Sequence, residues 1–167
     1  LSLQDQFKPN FLKLKIKMAE SKLEEVISIG WEYLNLMGLN SEINLTPQYI
    51  ANYMKKIVEE LGEDSAKTIR TLGVMKNIDS IHAMKILTYM VTPAYMISPL
   101  VFTEIILNMC DLSIKYGNTV ESPYAWALMG FTCINMNLGL EVTFTNKVAD
   151  EAMRLRHAFG NKEFRTT

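Results

Sequence analysis

The chain is predicted to be all-α, a set of antiparallel helical hairpins stacked side by side, and three observations predict it. Apolar residues recur at helical spacing through nearly every segment. Glycine (8) and proline (5) are sparse and stand singly or in pairs between those segments. The helical segments also pair at a step of roughly 35 to 40 residues, within the range of solenoid repeats, and no strand is needed anywhere. A compact helical bundle is the alternative packing of the same hairpins.

Taken in order, Asn10 to Ala19 reads as a short helix. The next, Lys22 to Met37, places Leu23, Val26, Ile27, Gly30, Leu34 and Met37 inward and Glu24, Glu25, Ser28, Glu32 and Asn35 outward, with Gly38 as stop. Pro47 to Leu61 has the clearest boundaries: Thr46 to cap it, proline at the first helical position and Gly62 just past the end. Its apolar residues Ile50, Tyr53, Met54, Ile57, Val58 and Leu61 form one stripe. Asp64 to Val74 is weakly helical.

Asp79 offers a cap for a helix reaching Val91 or a little beyond, where Pro93 should end or kink it, because proline removes a hydrogen bond and crowds the preceding turn. Pro99 to Tyr116 follows, apolar on most of its circumference but with Glu104, Asn108, Asp111 and Lys115 on one narrow stripe. Such a helix belongs between neighbours. Ser122 and Pro123 open a helix to Leu138. The last, about Thr143 to Phe159, buries Val148, Ala152, Leu155 and Phe159 and exposes Lys147, Asp150, Glu151 and Arg154. Gly30, Ala125, Gly130, Ala149 and Ala152 are small enough to let helices approach closely.

Composition narrows the function. With 17 Lys and Arg against 18 Asp and Glu, the formal charge is -1, so no basic footprint points to nucleic acid or anionic lipid. Ile86 to Phe102 and Ser122 to Leu140 carry no charge, but Pro93, Pro99, Asn135, Asn137 and several hydroxyl residues argue against a membrane span. Two cysteines, Cys110 and Cys133, lack zinc or disulfide spacing, and their apolar flanks would make them inert thiols in a reducing, cytoplasmic setting. The chain opens at Leu1 without a leader pattern and reads as one domain, 1–167, cut from a longer polypeptide.

No chemistry announces itself. Phosphate-loop, dinucleotide, zinc-protease and nucleophile-elbow motifs are missing. His82 and His157 have no ligand-spaced partners. Glu104 and Asp111 share a face without an acid, metal ligand or oxyanion donor beside them. The expectation is therefore a non-enzyme with no cofactor and no metal. Eleven methionines either fill gaps in the core or suit a groove that accepts varied partners. Tyr95, Tyr116, Tyr124 and Trp126 lie around the two chain reversals after Thr92 and Gly117, where they either pack the turns or meet a ligand.

The stretch TPAYMISPLVFTEIILNMCDLSIKYGNTVESPYAWALMGF, Thr92 to Phe131, resembles the tetratricopeptide-like helical region of large bacterial signalling proteins. In those proteins the region sits among a protein-kinase-like domain, a signal-transduction ATPase domain, often a GAF sensor, and a histidine kinase or similar output. LEEVISIGWEYLNLMGL, Leu23 to Leu39, looks like the hairpin helix that precedes it there. The chain departs from that pattern after Gly139, where Leu140-Glu141-Val142-Thr143-Phe144 replaces an acidic, aromatic turn. The resemblance implies a TPR-like α-α superhelix that relays signals between ATPase and sensor-kinase parts, with catalysis elsewhere.

Two functions are therefore expected to compete. One is a protein-interaction and relay module, whose partner is another domain of the same protein, a partner protein or a peptide, with self-association of an excised segment as a side effect. The other is a small-molecule sensor, with the helices after Pro99 and Pro123 around an apolar pocket and Glu104 and Asn108 as polar anchors. The candidate surface is Tyr95, Glu104, Asn108, Tyr116, Tyr124 and Trp126.

Overall fold

The computed structural model describes residues 2–42, 44–135 and 142–160. These form eight α-helices: α1 (Leu3–Ala19), α2 (Leu23–Leu36), α3 (Pro47–Leu61), α4 (Ser65–Thr71), α5 (Ile78–Ile97), α6 (Pro99–Tyr116), α7 (Ser122–Asn135) and α8 (Val142–Gly160). The all-α prediction holds, and the one strand-like feature among the described residues is an isolated bridge between Val74 and Asn118.

Helix α1 starts seven residues earlier than expected. Ser2 and Asp5 form a reciprocal capping box, and Pro9 is carried inside the helix. Helix α3 has the expected bounds, with the Thr46 hydroxyl accepting the Tyr49 N–H. Helix α5 is capped by Asn77, whose side chain accepts the Ser80 N–H, rather than by Asp79, because a cap reaches the third residue of its own helix. The helix also runs through Pro93. It stops at Ser98, which the following Pro99 holds in an extended conformation at φ -158° and ψ 127°. Ser122 does not cap α7 as expected: its hydroxyl accepts the Thr119 N–H and pairs with Ser113, fastening the turn to α6. The end expected at Leu138 and the departure after Gly139 lie outside the described residues.

Six helices follow one another through the stack, α1 on α2, α2 on α5, α5 on α6, α6 on α7 and α7 on α8, and α1 also touches α5. Helices α3 and α4 leave this order as an arm that packs on α6 and α8. The arm and the stack enclose α6, where every residue from Phe102 to Ser113 is buried, so the sandwiched position read from its composition is observed.

Close approach depends on small residues, as expected at two sites. A Cβ on Gly30 of α2 would lie 2.3 Å from the Met90 sulfur of α5, and one on Gly130 of α7 would lie 3.3 Å from Thr145 of α8. Two connectors cross where Asn118 meets the segment before α5. Asn118 N–H donates to Gly73 O, its carbonyl accepts from Met75 N, its amide donates to Ile69 O, and its side-chain oxygen accepts from the Trp126 indole. Gly117 beside it has φ 98°, and a Cβ there would sit 2.9 Å from the Val74 and Met75 backbone.

Glu151 corrects the sequence reading of α8: it is buried, not exposed, because Arg70 of α4 closes over it.

Candidate functional site

An apolar groove lies between α5 and α7. Val91, Thr92 and Tyr95 supply one wall at positions i, i+1 and i+4 of α5, and Tyr124, Leu128 and Phe131 supply the other at i, i+4 and i+7 of α7. Phe102 of α6 stands at the wall beside Tyr95, the two rings meeting edge to face at 5.3 Å. The space is about 310 Å³, and among the described residues none that lines it is charged. Tyr95 is 63% exposed and Phe131 49% exposed, unusual for large apolar side chains that share a groove. Burial pushes the Tyr124 phenol above its ordinary pKa, so the groove carries no charge from it at neutral pH.

The six residues singled out in the sequence do not form one site. Tyr95 and Tyr124 meet in this groove. Trp126 is fully buried and donates to Asn118, so it belongs to the connector crossing and not to a surface. Tyr116 lines a separate cleft of about 320 Å³ with Asp79, Lys115 and the turn after α2.

Asn108 lines a third space, about 440 Å³, between α3 and the turn after α2, with Tyr49, Asn52, Tyr53 and Lys56. Glu104 is buried next to it and is already occupied. Its carboxylate accepts the Glu42 N–H at 2.6 Å and the Ser41 hydroxyl at 2.9 Å, clamping the segment between α2 and α3 to α6. Burial still raises its pKa above the ordinary value, opposed by those two bonds. Asp111 binds Lys115 and lies 3.5 Å from Lys56. Glu104 is thus spent on holding the fold, whereas Asp111 keeps one buried oxygen without a hydrogen bond, and neither carboxylate lines the space beside Asn108.

Phe102, Leu128 and Phe131 line the groove but were not singled out in the sequence. Their spacing is that of ordinary core positions, and nothing in it separates a groove wall from a packed interior. Cys110 and Cys133 are both buried free thiols. Burial raises the pKa of Cys110 and pushes that of Cys133 to about 11, so neither is a thiolate at neutral pH. Among the described residues no three His, Cys, Asp or Glu side chains gather in a metal-binding group, and no helix is long and apolar enough to cross a membrane.

No family model matches the chain, and no curated protein or solved structure matches it either.

Proposed function

We propose that this chain is a non-catalytic interaction module that works as a regulatory relay in a cytoplasmic bacterial signal-transduction kinase. The observation that carries the reading is the aromatic groove of Tyr95, Phe102, Tyr124 and Phe131 between two helices of the stack, lined by no charged residue among those described. An open groove with rigid aromatic walls suits an apolar side chain of a partner segment. The order α1, α2, α5, α6, α7, α8, with α1 touching α5, fits a TPR-like superhelix of three hairpins into which the α3–α4 arm is inserted. In that arrangement α1, α5 and α7 are the equivalent first helices, and the groove falls between two of them. The link to a kinase rests on the resemblance of Thr92 to Phe131.

The test is a pull-down of the immobilised chain against separately expressed ATPase, sensor and kinase portions of its parent protein. Saturable binding that Tyr95→Ser with Phe131→Ser abolishes is the expected result. Binding to none of them, or binding indifferent to the double substitution, removes the reading.

A small-molecule sensor is the second reading, favoured by the space of about 440 Å³ beside Asn108. Its polar lining calls for a hydrogen-bonding ligand, not the apolar one first expected. A ligand shift in melting temperature that Asn108→Ala removes supports it.

A further inference from the structure

Helix α1 has two apolar faces. Phe7, Phe11, Leu14 and Met18 face the stack, and only Leu14 of the helix is completely buried. On the opposite side Pro9, Leu12, Ile16 and Ala19 are all exposed, Leu12 by 57% and Ile16 by 48%. Their spacing of 3, 4 and 3 is the seam of a coiled coil, with Pro9 and Ile16 at the a positions and Leu12 and Ala19 at the d positions. Lys8 and Lys15 then occupy the g positions and Lys13 an e position, flanking the seam on both sides. None of these three lysines has an ion-pair partner among the described residues, whereas Lys17, on the core-facing side, is bound to Glu20 and Glu25.

We infer that the outer face of α1 docks an acidic amphipathic helix of a partner protein, one with apolar a and d positions and Glu or Asp at e and g. The apolar seam sets the register, and the lysines, which have no acidic partner among the described residues although Lys15 also lies 4.9 Å over the Phe11 ring, set the partner's charge. A second copy of this chain is disfavoured by the same charges. In a parallel pair Lys8 would face Lys13 of the other copy, and in an antiparallel pair Lys8 would face Lys15. This surface shares no residue with the groove between α5 and α7, so its failure leaves that reading untouched.

The probe is a synthetic three-heptad helical peptide with Leu at a and d and Glu at e and g, titrated against the whole chain by fluorescence anisotropy. Saturable binding is expected, weakened about tenfold or more by Leu12→Ser with Ile16→Ser. Both residues are exposed, and circular dichroism confirms the fold of the variant. The triple variant Lys8→Glu, Lys13→Glu, Lys15→Glu should lose the Glu peptide and gain the same peptide carrying Lys at e and g. That exchange is something loss of structure cannot imitate. Absence of binding, binding indifferent to either variant, self-association of the chain through this face, or binding only to vesicles containing phosphatidylserine would each overturn the inference.

Discussion

Arg70 and Glu151 stand 81 positions apart yet meet in a two-pronged ion pair, Nε 3.1 Å from one carboxylate oxygen and Nη2 2.7 Å from the other. Arg70 lies on α4 and Glu151 on α8, so the pair ties the arm to the last helix of the stack. The carboxylate is 2% exposed while the arginine remains open to water. Removing the arginine strands a buried charge, which costs more than removing both partners. Arg70→Ala is expected to lower the melting temperature by several degrees, and adding Glu151→Leu should recover part of that loss. Thermal unfolding followed by circular dichroism checks both.

Gly30 sets the distance between α2 and α5. Because an added Cβ would overlap the Met90 sulfur at 2.3 Å and the Met90 Cγ at 2.9 Å, Gly30→Ala should cost about 1–3 kcal/mol. Met90 is completely buried, so it can turn aside only by displacing its neighbours. Urea titration of Gly30→Ala, Met90→Ala and the double variant should show the double losing less than the sum of the singles.

His82 is covered by Phe7 of α1, the two rings stacked at 3.8 Å and 4°. Burial and then Lys85 lower its pKa, partly offset by Asp79. With the folded value below the unfolded one, its contribution to stability is complete above the unfolded pKa of about 6.5 and is lost as pH falls through the folded value. Acidification from neutral pH should loosen α1 first, seen as lower amide protection factors at Phe7 and Phe11, the intrinsic exchange rate at each pH being divided out. His82→Phe should flatten that dependence.

Glu104 works in the opposite sense. Its folded pKa is raised, so the stability linked to its titration is complete below the unfolded value and declines as pH rises through the folded one. Glu104→Gln should remove that slope while keeping an acceptor for the Glu42 N–H. Glu104→Ala leaves Ser41 and the Glu42 N–H without their partner and should cost about 1–3 kcal/mol. Denaturant midpoints measured from pH 4 to pH 7 separate the two variants.

What the sequence made legible was local. Thr46, Pro47 and Gly62 mark the ends of α3 because caps act within one turn, and the apolar circumference of α6 told of its burial. Helix α1 was read short because its second apolar stripe blurs the periodicity and Pro9 looks like a boundary. The jump from α2 to α5, the burial of Glu151 and the burial of Trp126 depend on partners far along the chain, and a local pattern holds no record of them. Tyr124 was legible as a neighbour of the turn after Gly117, whereas the reversal expected after Thr92 is replaced by a continuous α5 that carries Tyr95 on to a turn at Ser98. The walls the two tyrosines share with Phe102 and Phe131 follow only from how α5 and α7 pack.

The arm also bears on how the chain is made. Helix α3 buries Ile50, Met54, Ile57 and Leu61, yet α6, on which it packs, is synthesised after it, and Arg70 of α4 awaits Glu151. At about 5–20 residues per second, the ribosome takes roughly 4 to 16 seconds to cover those 81 positions. Helix α4 lacks its Glu151 partner for that interval, and α3 lacks α6 for the shorter stretch between Leu61 and Tyr116. The nascent polypeptide therefore carries the apolar face of α3 before α6 exists to receive it, and slowing translation between the two helices would lengthen that state.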